Sequence, residues 1–451
     1  MEISTLREPL VLGNVNNQQV TTEILSHLEG KPGKLWWAGF SLSALLATLG
    51  LYAMWLTAWD GIGTWGLDKT VGWGLDITNF VWWVGIGHAG TFISAILLLF
   101  RQKWRNSVNR ASEAMTIFAI AVAGIFPLIH MGRIPLGFFI FPYPNSRELW
   151  VNFNSPLLWD VFALTAYILS SLVFWFVGMV PDLATVRDRL KPGIKKDIYG
   201  LLSFGWNGSA KHWHRYEAMN TVMAGVTTVL VVAVCSIVSS DFATSVIPGW
   251  HATVFPLYFF TGAIFCGFAM ALFLIILTRK TLHLEKYITI NHIELMNKIV
   301  IVMGSVVALI YTTELFSAWY SGNLYEKYVF MNRAFGPYKW VYWTMMTFNL
   351  LVPQLLWIKK LRRNVWVTLA FAILINIGMW CERFIIIVTS LHRDFLPSSW
   401  SMYIPTWVEV AIFTGTLGIF FLLYFLFIRF IPVVAINEVK SIIKSNGETT
   451  H

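Results

Sequence analysis

Two residues of complementary acid–base type stand at the same end of two consecutive apolar stretches. Residues 113–162 read EAMTIFAIAVAGIFPLIHMGRIPLGFFIFPYPNSRELWVNFNSPLLWDVF. The pattern predicts an apolar helix ending near His130, a loop of 24 residues (133–156), and a second apolar helix with Asp160 in its first turn, roughly 5 Å below its start. Ionisable groups inside membrane-length helices are costly, so each is by default a functional candidate. A neutral imidazole and a carboxylate both accept protons. Oxidation of a quinol is chemistry of that kind: two protons and two electrons leave, and a base at each ring oxygen takes a proton. Consecutive antiparallel helices are usually neighbours, so His130 and Asp160 are expected to line one pocket. Pro127, three residues before His130, is expected to kink its helix and free a carbonyl. The loop carries Pro135, Pro142, Pro144 and Pro156 and six aromatic residues between Phe138 and Phe153, and should pack as a lid or a partner surface. In the alternative, structural reading His130 caps a helix end and Asp160 satisfies nearby N–H groups.

Further ionisable groups lie in other apolar stretches. His88 sits in GIGHAGTFISA, among small residues that allow close helix packing. An interhelical hydrogen bond and a proton-relay role are equally open for it. Ligation of a b-type haem is a weaker reading, because a partner histidine is needed at matching depth and His130 lies about 15 Å further out. Glu382 and Arg383, in NIGMWCERF, are expected to neutralise each other or nearby groups, or to move protons. As chain neighbours they point about 100° apart, so their main contacts should be with other helices. Glu314 and Glu409 add to an acidic population at one end of the spans, compatible with a proton exit route or with plain helix-end packing. The three cysteines, Cys235, Cys266 and Cys381, stand alone in apolar stretches without metal-ligand spacing. They predict no zinc site, no iron–sulfur cluster and no disulfide framework, only thiols packing as small hydrophobes.

The elements that must position these groups are membrane spans. Of 451 residues, 56% are hydrophobic and 13% charged, against about 25% charged in soluble domains. Crossing the hydrocarbon takes about 20 apolar residues. Ten such stretches are expected: 35–59, 77–100, 113–132, 157–180, 218–240, 252–277, 295–319, 340–358, 365–389 and 407–430. Tryptophan and tyrosine cluster at their ends, as an interfacial belt does. The net charge of +9 does not point to nucleic acid, because the basic residues sit in short loops between spans. Alternate loops and the two tails carry 24 lysines and arginines, and the other loops 7. Both termini are therefore expected in the cytoplasm, with His130 and Asp160 towards the outer face. Residues 1–34 lack the pattern of a signal peptide and are expected to form a cytoplasmic tail, as are 431–451, with 35–430 as the membrane domain. The longest inner loop, 181–217, contains GWNGSAKHWHRYE, a basic face for lipid headgroups or a cytoplasmic partner.

At this point the strings GIGHAGTFISAILLLFRQKWRNSVNRASEAMT, FPLIHMGRIPLGFFIFPYPNSRELWVNFNSPLLWDVF, GMVPDLATVRDR, GWNGSAKHW, GPYKWVYW, VPQLLW and NIGMWCERFIIIVTSLHRDFLPSSW resemble the NrfD-like, polysulfide-reductase-type membrane subunits. They are most similar to the ActC type of bacterial alternative complex III, and the paralogous ActF type shares many of them. The resemblance covers about residues 36–430. It implies an all-α fold of ten transmembrane helices, with two four-helix bundles (spans two to five and six to nine) flanked by the first and tenth helices, in a bacterial inner membrane. It implies oxidation of menaquinol or ubiquinol, menaquinol being the expected one, near the periplasmic face. The family's site histidine and aspartate match His130 and Asp160, with Arg133 beside them as a quinone-binding residue. Electrons would pass to a periplasmic iron–sulfur subunit, then to c-type haem subunits and a cytochrome oxidase, since this chain should hold no haem or cluster. The implied partners also include a paralogous NrfD-like membrane protein. Coupling to proton translocation is also implied, with His88, Glu314, Glu382 and Arg383 as candidates. The competing reading is a non-catalytic scaffold or proton-conducting subunit of the ActF type; the presence of both His130 and Asp160 favours the catalytic one.

Overall fold

A computed structural model describes residues 9–13, 15–142, 146, 148 and 150–448. Pro144 and Tyr143 of the aromatic loop fall outside these residues. The described chain is helical, and nine of its helices are long and apolar enough to cross a membrane. They are α2 (Lys34–Asp60), α3 (Leu75–Leu99), the pair α4 (Asn109–Ala123) and α5 (Ile125–His130), α6 (Pro156–Arg189), α8 (Ala210–Ala243), α9 (Phe255–Thr281), α10 (Ile290–Tyr320), α15 (Val365–Leu391) and α16 (Trp407–Phe430). Before, between and after them lie α1 (Asn17–Glu29), α7 (Ile194–Leu202), α11 (Leu324–Phe335), α14 (Lys359–Arg362) and α17 (Ile436–Glu448). The segment expected as the eighth span is helical but shorter and broken. It runs as α12 (Lys339–Met346), a π turn over Thr347–Leu351, and α13 (Val352–Leu355). Pro353 has no N–H and its ring crowds the carbonyl four residues back, which is that of Asn349 inside the π turn.

The α4–α5 pair has the same origin. Pro127 crowds the carbonyl of Ala123, and the helix breaks between Ala123 and Ile125. The kink thus falls a turn before the proline and re-aims the last turn, which carries His130.

Helix α2 packs along α16, α3 packs against α4, α8 and α9, and α6 lies on α8 and α4. Helix α9 also contacts α10 and α15, and α12 lies on α15. Backbones meet at small residues. A Cβ on Gly50 of α2 would stand 2.4 Å from the Cα of Gly415 in α16. A Cβ on Gly267 of α9 would stand 1.9 Å from the Cβ of Ala89 in α3. Without a hydrophobic drive between helices in lipid, such close approach is what dispersion attraction needs. The most enclosed helices are α3 and α9, each with 83% of its most apolar window buried, against 17% for α6 and 28% for α2. The polar residues of α3 and α9 therefore face protein, while most of the α6 window is left uncovered by this chain.

The expected loop 181–217 is largely helix. Helix α6 runs on to Arg189 with Pro181 inside it, and α8 begins at Ala210, capped by the Ser209 hydroxyl accepting from the His212 N–H. Apolarity marks where a helix leaves the hydrocarbon, not where it stops, so span boundaries underestimated both helices. The tails are not loose either. Lys286 Nζ lies 2.8 Å from Glu23, Arg429 donates to the His27 carbonyl at 2.6 Å, and Arg189 meets Glu29 at 3.0 Å. Arg105 holds Glu438 of α17 at 2.9 Å. Both tails thus pack against the same end of the helices, the proximal end. The other end is the distal end.

Candidate functional site

Four ionisable side chains gather at the distal end, one from each of four mutually packed spans. Asp76 stands in the first turn of α3, His130 closes α5, Asp160 lies one turn into α6, and Asp241 lies in the last turn of α8. His130 Nδ1 is hydrogen-bonded to Asp76 Oδ2. Asp76 is 4% exposed, while the His130 ring keeps 27% of its surface open, so the pair presents its imidazole outward over a buried carboxyl group. The other Asp76 oxygen accepts the Gly74 N–H at 3.1 Å. Trp65 stands 6.5 Å from the His130 ring, centre to centre.

Asp160 is 6% exposed, and its carboxyl group neighbours that of the half-buried Asp241. One oxygen of each, Oδ1, is buried without a hydrogen-bond partner. An orphaned buried carboxyl oxygen is costly unless something polar meets it, and a ligand hydroxyl would.

Each of the two, His130 and Asp160, also has a carboxyl neighbour from a different helix, since α3 packs on α4 and α6 mainly on α8. Arg133 lies exposed at the start of a 3₁₀ turn, Ile134–Ile140. Asp76 and Asp241 were missed by sequence reasoning because apolarity placed the span limits at 77 and 240, one residue short of each. The signal was available as acidic residues flanking spans at the end that carries His130.

A roof lies over the site. Tyr403, from the stretch before α16, accepts the Leu75 N–H at 2.9 Å and donates to Glu409. Burial, with the Glu409 carboxyl group alongside, pushes the Tyr403 phenol above its ordinary value, so it remains a donor. Glu409 also accepts from Gly66 at 2.8 Å and closes a capping box with Thr406. Glu409 is thus occupied by helix-end packing.

Deeper in the same helices, His88 is 1% exposed; its Nδ1 lies 3.2 Å from Cys235 Sγ and its Nε2 has no partner. Tyr167 packs edge-on against the ring at 5.0 Å and donates to the Gly87 carbonyl at 3.0 Å. Cys235 therefore makes a polar contact rather than only packing, as does Cys266, 3.4 Å from Asn376 Oδ1. Towards the proximal end, Glu113 accepts from Ser94, and Arg110 meets Asp182 at 2.8 Å, all four buried.

In the second set of helices Glu382 accepts from Tyr311 of α10, whose oxygen also receives the Asn349 amide at 2.9 Å. Arg383 lies over the Phe259 ring at 4.4 Å. Contacts with other helices were expected, but the two neighbours also meet, Nη1 to Oε1 at 3.2 Å. The long guanidinium stem curls back across the 100° separation that the backbone imposes. Glu314, half-buried, feels the Arg333 charge. Among the described residues no three or more histidine, cysteine, aspartate and glutamate side chains are arranged to hold a metal ion.

The family model for polysulphide reductase, NrfD, matches residues 65–393. The chain belongs to the NrfD family. The matched range takes in Asp76, His88, His130, Asp160, Asp241, Glu314, Glu382 and Arg383, and leaves out α2 and α16. Among similar proteins is a selenate reductase subunit of Mesobacillus selenatarsenatis, 21% identical over 431 residues, covering 91% of this chain and 97% of that one. The integral membrane subunit of menaquinone reductase from Nitratidesulfovibrio vulgaris is 22% identical over 386 residues, 80% and 83% of the two chains. A putative dimethyl sulfoxide reductase membrane subunit of Halobacterium salinarum is 27% identical over 166 residues, 36% of each. This NrfD-family chain is a multi-pass membrane protein, and its relatives are membrane subunits of reductases.

Proposed function

We propose that the chain is the quinol-oxidising membrane subunit of a respiratory oxidoreductase complex, and that the quinol head group binds at the distal end between His130 and Asp160. The observation that carries this reading is that each proton acceptor has a second carboxyl group beside it, buried Asp76 against His130 and half-buried Asp241 beside Asp160. The Asp76 contact fixes the His130 ring, and because Nδ1 faces Asp76, Nε2 is the atom turned to a ligand hydroxyl. The imidazolium formed when Nε2 takes a proton is stabilised by the Asp76 carboxyl group. Asp160 offers its partnerless Oδ1 to the second hydroxyl, and its proton passes into the pair with Asp241. The apolar loop from Ile134 to Phe141 and the exposed face of α6 give an isoprenoid tail its route to lipid.

Bound quinol supplies the two electrons, which leave to a redox centre in a neighbouring subunit. In the assembly proposed here, of the alternative complex III type, that subunit is a periplasmic iron–sulfur protein. It is followed by c-type haem subunits and a cytochrome oxidase, with a paralogous NrfD-like subunit alongside. The distal end then faces the periplasm and both tails the cytoplasm of a bacterial inner membrane, with menaquinol as the substrate. His88, Glu314, Glu382 and Arg383 belong to proton movement.

The name of the menaquinone reductase relative favours a second reading, quinone reduction at the same site, with protons flowing from the pairs to the ring. Purifying the native assembly and extracting its quinone, then following cluster and haem absorbance on adding quinol, tests the proposal. Reduction of the partner centres by quinol supports oxidation; oxidation of reduced centres by added quinone supports the reverse. An assembly with no quinone and no response to either assigns the chain a scaffold role.

A further inference from the structure

The proximal end carries a polar cavity that the quinol chemistry does not use. It holds about 350 Å³, a size at which ligand pockets occur. Its walls are the turn between α3 and α4, the start of α8 and the first turns of α17. On α8 the lining residues run from Trp213 to Thr221 at helical spacing, so one face of that helix is turned to the cavity. The apolar stretch of α3 ends at residue 100 and that of α8 begins at 218, which puts the cavity where hydrocarbon gives way to head groups. Trp213, packed edge-on against Trp206 at 5.0 Å and Tyr216 at 5.7 Å, fits that level.

Among the described residues the charged walls are three basic side chains against two acidic ones, one net positive charge. Arg105 and Glu438 neutralise each other at 2.9 Å. Arg101, Lys103 and Glu217 remain, all exposed. The Arg101 guanidinium has no hydrogen-bond or ion-pair partner among the described residues. Its backbone makes this cation conspicuous. Arg101 follows the end of α3 with φ +52°, its N–H donating to the Leu98 carbonyl and that of Gln102 to the Leu97 carbonyl, both at 2.9 Å. A helix end closed in this way favours glycine at the left-handed position. An arginine there strains the backbone where glycine would not, and it sets a guanidinium at the cavity wall.

We propose that this cavity binds the phosphate of an anionic phospholipid whose head group carries free hydroxyls, drawn from the leaflet at the proximal end. Arg101 and Lys103 meet the phosphate oxygens, and Glu217 accepts from a head-group hydroxyl. The single negative charge of such a lipid balances the net charge of the walls. Leu99 and Phe100 on α3 and Met219 and Val222 on α8, all exposed, offer apolar surface to the acyl chains. The bound lipid ties the α3–α4 turn to α8 and α17. Binding here does not depend on what the distal end does with a quinol.

The native assembly, purified in detergent and stripped of lipid, is titrated with phosphatidylglycerol, phosphatidylcholine or inorganic phosphate while its melting temperature is followed. A ligand that binds only the folded protein raises that temperature. Phosphatidylglycerol should raise it saturably in the wild type. Phosphatidylcholine, net neutral and without a head-group donor, should not, and neither should phosphate alone. Arg101→Gly suits the backbone and so keeps the assembly intact. It should need at least about tenfold more phosphatidylglycerol for half the effect, the loss of one charge-assisted contact. Arg101→Lys keeps the charge and should stay within about threefold of wild type. Equal stabilisation by phosphatidylcholine would reduce the cavity to ordinary lipid contact, and stabilisation by phosphate alone would make it a site for a free anion. Either result overturns the proposal, as does a wild type indifferent to phosphatidylglycerol or an Arg101→Gly variant that responds as wild type does.

Discussion

Asp76 is the residue whose role the geometry states most sharply, because it touches His130 and nothing in its position lets it reach a substrate first. It is a positioning residue. Asp76→Asn keeps the size of the side chain but removes the carboxyl group that stabilises an imidazolium. Quinol turnover should fall by about 10–100-fold, the usual worth of a carboxylate behind a histidine. Steady-state turnover of the assembled complex reads this; normal turnover contradicts it. His130 and Asp160 were legible from sequence because an ionisable group inside an apolar stretch is conspicuous. Their partners were not, because Asp76 and Asp241 sit one residue outside the stretches that apolarity defines. Sequence order suggested that His130 and Asp160 line one pocket, and it carried no signal for the carboxyl neighbours on other helices, Asp76 on α3 and Asp241 on α8. Glu409 looked like Glu314 in the sequence, and only its contacts with Tyr403, Gly66 and Thr406 separate a cap from a candidate proton carrier.

At the scale of the elements, nine of the ten expected stretches are helices of crossing length, because runs of about 20 apolar residues leave few alternatives in lipid. The exception has a local cause. Pro353 cannot donate to the Asn349 carbonyl and the backbone widens into a π turn, from which the Asn349 side-chain amide donates to Tyr311 at 2.9 Å. Helix ends outside the hydrocarbon were not legible, since polar residues such as those of 181–189 and 210–217 form helix as readily as loop. Helix pairing rests on small residues that hydropathy does not register. Gly415→Leu should force α16 away from α2, because even a Cβ there would stand 2.2 Å from the Gly50 Cα. Overpacking of this kind costs about 1–3 kcal/mol or more. The melting temperature in detergent should drop by several degrees, with the distal site's ligand affinity little changed since α2 and α16 lie outside the matched family range. An unaltered melting temperature would mean that α2 and α16 do not depend on this contact.

For the molecule as a whole, the charge asymmetry and the shared end of the two tails make one statement about orientation. Accessible cysteines placed after Lys195 and at Phe138, in a cysteine-free background, should be labelled by impermeant reagents from the cytoplasm and the periplasm respectively. The opposite labelling would turn the distal site towards the cytoplasm and with it the direction of proton release. All-α architecture and membrane insertion follow from composition, but which helices enclose the chemistry does not, and α3, the most enclosed of them with α9, supplies both Asp76 and His88. The central claim is that His130 and Asp160 act as one unit on a quinol. It is tested most directly by steady-state quinol oxidation in purified, spectroscopically intact complexes carrying His130→Ala, Asp160→Asn or both. Each single variant should lose about 10²–10⁴-fold in turnover, and the double should be little worse than either, because groups acting as a unit are not additive. Near-normal turnover in both single variants would contradict the account and leave the chain as a scaffold.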